Sequence, residues 1–267
     1  MRISGIGLIV STLVFCVFAR AAEPATTQGL PTLYIIGDST VHNTDARLTG
    51  WGDCIGPMFD TSKINVVNRA IGGRSSRTFF TEGRWDKVME TLKAGDFVLM
   101  QFGHNDGNAL NDDSRARGTI RGVGEETQEI DNLLTHQHEV VHSFGWYIRK
   151  YVTDAKSKGA TPIVCSLVPR NDWVDGKVKR SPESYAGWAR QVAESEKAPF
   201  VDLNEIIAKH YEEMGAEKTK AFFPSDHTHT SPDGAKLNAQ SVIEGIRGLK
   251  DCGLVNYVRE AGAATQP

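Results

Sequence analysis

Three side chains from opposite ends of the sequence have the types that a nucleophilic hydrolase needs. Ser39 lies in Gly37-Asp38-Ser39-Thr40, and Asp226 and His229 lie in Asp226-His227-Thr228-His229. A serine hydroxyl becomes a useful nucleophile when an imidazole takes its proton, and the imidazole works best when a carboxylate fixes its tautomer and orientation. Asp226 and His229 are three residues apart, so within one turn the carboxylate reaches one ring nitrogen while the other points away. His227 adjoins Asp226 and points elsewhere in either regular conformation, so it reads as a surface or packing histidine. Gly-Asp-Ser alone is a common turn. Its weight here comes from the company it keeps.

Attack on an ester carbonyl places negative charge on oxygen, so preorganised donors are also required. The candidates are the Ser39 backbone N–H, the side-chain amide of Asn105 in Gly103-His104-Asn105-Asp106, and a backbone N–H at Gly73 or its neighbour Gly72. A residue without a side chain lets the backbone approach a substrate closely. Asp38 and Asp106 are expected to hold their loops by accepting backbone N–H groups.

These residues need a scaffold that brings distant segments together. Five apolar runs of strand length recur: 33–36, 64–67, 97–102, 162–168 and 200–203. Most are continuous rather than alternating, as expected for parallel strands covered on both faces. Helix-like stretches lie between and after them at 84–94, 140–158, 183–196, 203–215 and 232–249, with Gly, Ser and Pro as stop and start signals. The alternation implies a doubly wound α/β sandwich, which binds ligands at the carboxyl ends of its strands. Ser39, Gly73 and Asn105 each follow such an end. The segment 107–137 is polar and long for a connection, so it is expected either to flank the catalytic rim and shape a groove or, in its middle part, to be a disordered insertion.

Composition narrows the partners. Lys and Arg number 30 against 33 Asp and Glu, a formal net charge of -3, which gives no electrostatic footprint for nucleic acid. The 267 residues suit one large domain, read as 33–260 with a linker at 23–32 and a frayed tail at 261–267. Residues 1–22 read as an export signal: Arg2 is followed by an apolar run from Ile6 to Phe18 and small residues at Ala19-Arg20-Ala21-Ala22. That reading implies a secreted or periplasmic mature protein, a monomer free of the membrane once the signal is removed. Of the four cysteines Cys16 falls in this segment, leaving Cys54, Cys165 and Cys252, of which one pair at most bridges. Cys165 reads as a buried thiol and Cys54 with Cys252 as the pair.

Gly-Asp-Ser after a strand, Gly103-His104-Asn105-Asp106 after a later one and Asp-x-x-His near the C-terminus resemble the SGNH (GDSL) hydrolase superfamily. Within it the wording is most similar to the rhamnogalacturonan acetylesterase family of carbohydrate esterases, over Leu33 to about Arg247. The resemblance implies a three-layer α/β/α sandwich with a five-stranded parallel sheet, a flavodoxin-like SGNH hydrolase fold. It places nucleophile, acid and base at Ser39, Asp226 and His229. It favours Gly73 as the second backbone donor, although Gly72 stands where the family has Ala. It implies removal of O-acetyl groups from plant cell-wall polysaccharide, acetylated rhamnogalacturonan first and acetylated xylan or homogalacturonan behind it, without cofactor or metal. Arg74 and Arg77, close to Gly73, would then pair with uronic-acid carboxylates.

Other classes compete. The same triad serves an acetylxylan esterase or a GDSL-type lipase equally well, and a non-catalytic carbohydrate-binding protein has no reason to assemble it. No Gly-x-Ser-x-Gly elbow of the classical α/β-hydrolase fold is present. His138-Glu139-Val140-Val141-His142 matches the His-Glu-x-x-His pattern in which two histidines one helical turn apart grip zinc and Glu activates water. Against that zinc-protease reading, the third ligand of the longer signature would fall at Ile148.

Overall fold

The computed structural model describes residues 29–180 and 182–260. The expected export segment at 1–22, residues 23–28 of the expected linker and the expected tail at 261–267 lie outside them. Strands are β1 (Thr32–Gly37), β2 (Asn65–Asn68), β3 (Phe97–Gln101), β4 (Thr127–Asp131), β5 (His138–His142), β6 (Thr161–Cys165), β7 (Trp173–Val174), β8 (Lys177–Val178) and β9 (Phe200–Val201). Helices are α1 (Trp51–Cys54), α2 (Ser76–Thr81), α3 (Arg84–Met89), α4 (Phe144–Ser157), α5 (Tyr185–Ser195), α6 (Leu203–Met214), α7 (Ala216–Lys220) and α8 (Pro232–Arg247).

Five strands form one parallel sheet in the order β2-β1-β3-β6-β9. Both faces are covered, which explains the continuous apolar runs. Leu33, Ile35, Leu99 and Ile163 face a core completed by Trp51 of α1, Ile207 and Tyr211 of α6, and Val242 and Ile246 of α8. Tyr34, Ile36, Val98, Met100 and Val164 face the opposite core, completed by Trp85 of α3, Tyr151 and Val152 of α4, and Val192 of α5. The strand order turns back between β1 and β3, where the carboxyl ends diverge into a crevice. The expected five-stranded sandwich is therefore present. Among the described residues no helix is long and apolar enough to cross a membrane.

Helix starts follow local capping. Ser143 accepts a hydrogen bond from Trp146 N, Asp202 from Glu205 N and Ser231 from Gly234 N, with Pro232 opening α8. The cap at Ser143 also corrects one expected helix, 140–158, which begins only at Phe144. Residues 138–142 instead pair antiparallel with 127–131 as a two-stranded ribbon, β4 with β5. The helix expected over 84–94 ends at Met89. Its expected stop residue, Gly95, is in the left-handed region at φ 87°.

The ribbon removes the zinc-protease reading. In a strand, residues four apart stand about 13 Å from each other at a rise of about 3.3 Å per residue, too far to share one ion. His138 lies beside Asp131, and His142 stacks on Trp146 with ring centroids 3.8 Å apart. Glu139 accepts two hydrogen bonds from Arg77 and so is not free to activate water. The cysteine expectation divides: Cys165 is a buried free thiol, but Cys54 and Cys252 are free as well rather than bridged.

Candidate active site

Ser39 sits in the turn just after β1. Gly37 is the last residue of that strand, and nothing larger fits there: a Cβ would stand 2.5 Å from Val41 Cγ2 and 2.6 Å from Gln101 O. Asp38 then folds the turn, its Oδ1 accepting from Thr40 N at 2.9 Å and Thr40 Oγ1 at 2.7 Å. Buried Gln101 at the end of β3 donates to Thr40 Oγ1 at 2.7 Å and accepts from Trp51 Nε1 at 2.8 Å, so the ends of β1 and β3 are locked together.

The loop before α8 supplies the other two groups. His229 Nε2 lies 2.8 Å from Ser39 Oγ, and His229 Nδ1 lies 2.7 Å from Asp226 Oδ2. Asp226 Oδ1 also accepts from the backbone N–H groups of Thr228 at 2.6 Å and His229 at 2.8 Å, so the carboxylate positions the residue it pairs with. Burial pushes the Asp226 carboxyl upward, but the hydrogen bonds from the His229 side chain and these N–H groups prevail and hold it at about 2. It is thus an anion beside the imidazole throughout the neutral range. His227 turns away to Asp172, with Nδ1 to Oδ1 at 2.7 Å, as its surface reading implies.

The donor side is built by two loops. A Cβ on Gly72 would lie 3.7 Å from Ser39 Cβ, which puts the 72–73 backbone against Ser39. Gly73 is left-handed at φ 80°, a conformation that glycine adopts without steric cost. Among the described residues neither the Ser39 N–H nor the Gly73 N–H has an acceptor, so both remain available to an oxyanion. Asn105 is buried and spends one amide N–H on Arg74 O at 2.9 Å, which aims the rest of the amide. Asp106 Oδ1 accepts from Ser76 N at 3.1 Å and Ser76 Oγ at 2.5 Å, tying the Asn105 loop to the start of α2. Burial pushes the Asp106 carboxyl up to about 7 against these hydrogen bonds. The loop-holding expected of Asp38 and Asp106 describes these contacts.

Ser39, Gly73, Asn105 and His229 line one cleft of about 1080 Å³. Arg74 lines it too, with Nε donating to both oxygens of Glu82 at 3.2 and 3.0 Å. Arg77 does not, and the substrate contact expected of it is corrected. Its side chain is fully buried, with Nε and Nη2 each 2.7 Å from the Glu139 carboxylate and Nη1 donating to Leu110 O at 2.6 Å and Gly118 O at 2.9 Å. Helix α2 turns it inward, where it clamps the 107–137 segment to β5. Burial pushes Glu139 upward, but hydrogen bonds from Arg77 and Asn132 leave it below the usual carboxylate range. Arg77→Ala is expected to cost about 3 kcal/mol, because it strands a largely buried carboxylate. Urea unfolding checks this, and Glu139→Gln in the same chain should recover part of the loss.

Among the cleft residues missed in the sequence are His42, Arg115 and Arg117. His42 Nδ1 lies 2.7 Å from Asp53 Oδ1 at one wall. Arg115 and Arg117 come from the 107–137 segment, whose polar, Arg-bearing composition was the available signal. His104 lies behind the site, where burial lowers its imidazole to about 4 and keeps it neutral.

Known proteins resemble this chain in sequence and in fold. Residues 35–237 match the model of the GDSL-like Lipase/Acylhydrolase family. The chain is 34% identical to the rhamnogalacturonan acetylesterase of Emericella nidulans over 215 residues, covering 80% of this chain and 84% of that protein. It is 30% identical to the probable rhamnogalacturonan acetylesterase YesY of Bacillus subtilis, covering 81% and 93%. Among solved structures, protein YxiM of Bacillus subtilis superposes with a TM-score of 0.66 at 23% identity, over 84% of this chain and 57% of that one. An acetyl-xylooligosaccharide esterase from Geobacillus stearothermophilus gives a TM-score of 0.54 at 18% identity, over 86% and 97%. At these identities the two solved structures speak for the fold. The family model and the curated relatives go further: the chain belongs to the GDSL-like lipase/acylhydrolase family and is a carboxylic ester hydrolase.

Proposed function

We propose that the protein removes O-acetyl groups from acetylated rhamnogalacturonan by acyl transfer through Ser39. The observation that carries the mechanism is the continuous chain from Ser39 Oγ to His229 Nε2 at 2.8 Å and from His229 Nδ1 to Asp226 at 2.7 Å, opening into the cleft. Ser39 Oγ attacks the acetyl carbonyl carbon as its proton passes to His229 Nε2. The Ser39 and Gly73 N–H groups and the Asn105 amide take the charge on the carbonyl oxygen. Collapse of the tetrahedral intermediate breaks the bond to the sugar oxygen, which leaves with the His229 proton. Water then gives a proton to His229 as it attacks the acetyl-serine, and collapse of the second intermediate breaks the bond to Ser39 Oγ, which takes the proton back from His229 as acetate leaves.

The cleft supports a sugar substrate. Its walls carry His42, Asn43, Thr44, Arg74, Asn105 and Ser114, with Ile71 and Leu134 as the apolar members. A long acyl chain would gain little apolar burial there, whereas hydroxyls and carboxylates find partners. Substrates named for the two relatives point the same way. The export segment read at 1–22 fits a polymer met outside the cytoplasm, so we place the mature protein in the secreted or periplasmic space.

Acetate release from acetylated rhamnogalacturonan, acetylated xylan and a long-chain ester tests this reading. The rate should be highest on the first, and a preference for the long-chain ester would refute it. Asn105→Ala should lower kcat by roughly 10²- to 10³-fold, the usual loss for one oxyanion donor. Steady-state kinetics on a small acetyl ester measures that.

A further inference from the structure

Two guanidinium groups stand over the backbone of Gly73. A Cβ built there would lie 3.7 Å from Arg117 Nη1 and 3.8 Å from Arg115 Nη1. The two arginines are held differently. Arg117 is half-buried, with Nη1 donating to Gly73 O at 2.8 Å. Burial first, and then the neighbouring Arg115 charge, lowers its guanidinium from the usual arginine value. Arg115 is exposed, and among the described residues its side chain has no hydrogen bond and no ion pair.

Like charges placed side by side repel, and a fold leaves them so only when other contacts fix them or an anion joins them. Here the backbone does the fixing. Asp112 Oδ1 caps the segment, accepting from Ser114 N at 2.8 Å, Arg115 N at 2.5 Å and Ala116 N at 3.1 Å. Buried Ala116 is left-handed at φ 40°, an unusual conformation for a residue with a Cβ, and it lies between the two arginines. Arg77 clamps the same segment through Leu110 O and Gly118 O. Glu82, the acid that lines the cleft, is engaged with Arg74 and Arg84. The wall beside Ser39 thus offers a fork of N–H donors on a fixed backbone, and among the described residues neither guanidinium has an ion pair.

We propose that Arg115, backed by Arg117, is a carboxylate-binding subsite that selects acetylated sugars carrying a uronic acid. A guanidinium meets a carboxylate through two parallel hydrogen bonds, and a neutral sugar gives it no such partner. This inference rests on the deacetylase reading and adds the residue that would separate acidic from neutral polymers. Arg74, with its charge met by Glu82, is less suited to the task, and Arg77 is sealed from the cleft.

The test compares kcat/KM for an acetylated, uronate-containing oligosaccharide with that for the same oligosaccharide after its carboxyls are reduced to alcohols. Arg115→Ala should lower the acidic-over-reduced ratio about tenfold or more, the effect of one charge-assisted contact. Arg115→Glu should lower it further, and Arg115→Lys should retain part of it. Raised salt should shrink the wild-type ratio and leave that of Arg115→Ala nearly flat, because exposed charges are screened. A wild-type ratio preserved in Arg115→Ala overturns the subsite while the deacetylase reading stands. Wild-type protein that releases acetate from neither oligosaccharide, yet cleaves a small acetyl ester, overturns both.

Discussion

Ser39→Ala is expected to lower kcat for acetate release by about 10⁴-fold or more while leaving the fold intact, because the account gives the covalent step to one hydroxyl. His229→Ala should lose a similar amount, since Ser39 Oγ has its hydrogen bond to His229 Nε2 and, without it, no base to take the proton. Ser39→Ala combined with His229→Ala should be scarcely worse than either alone. Groups that act as one unit do not add, and the activity left over comes from the oxyanion donors and from binding. Initial rates on an acetylated oligosaccharide, with circular dichroism to confirm folding, measure all three. Two losses that multiplied in the double variant would show that the groups act separately.

Asp226→Asn is expected to cost about 10³- to 10⁴-fold in kcat with little change in KM, the range known for the corresponding change in a serine protease triad. The geometry gives the reason. Asp226 Oδ2 meets His229 Nδ1 at 2.7 Å, and Oδ1 accepts two backbone N–H groups of the same loop. An amide that keeps its oxygen on the backbone presents NH₂ to Nδ1, which favours the tautomer with the proton on the side facing Ser39. The base is then blocked. The pH dependence follows from the depressed carboxyl, held at about 2 against an ordinary 3.8. A group lowered on folding stabilises the native state fully above its unfolded value, and this contribution is lost as pH falls from there through the folded one. An acid limb in kcat well above that range therefore belongs to some other group. If Asp226→Asn kept near-wild-type kcat, the carboxylate would have no part in orienting the imidazole.

The sheet was legible because its signal is local. β1 and β3 are short apolar runs, both faces of the sheet are covered, and every side chain of these two strands is buried, so each continuous run marks a strand. Ser39, Asp226 and His229 could be read for a related reason: a loop after a strand end and a turn before a helix are fixed by near neighbours in the sequence. The β4–β5 ribbon was not legible. It is mostly exposed, with Ile130 and Val141 as its buried apolar members, so alternation was too short to override a helix reading of 140–158.

Arginine placement was the hardest part, since it depends on pairings far apart in the chain. Arg77 is close to Gly73 in sequence, but its partner Glu139 comes from β5, 62 residues later. Arg115 and Arg117 reach Gly73 from a loop more than forty residues away, Arg117 Nη1 being 44 positions from the carbonyl it meets. Nothing periodic marks such a contact before the chain is folded.

The central claim is that Ser39 is the nucleophile activated by His229. Incubating the protein with a fluorophosphonate, which phosphonylates activated serines with loss of fluoride, and mapping the adduct by peptide mass spectrometry tests it most directly. The account predicts a single adduct on Ser39, lost in His229→Ala and slowed in Asp226→Asn. An adduct on another residue, or labelling of Ser39 at an undiminished rate in His229→Ala, would contradict it.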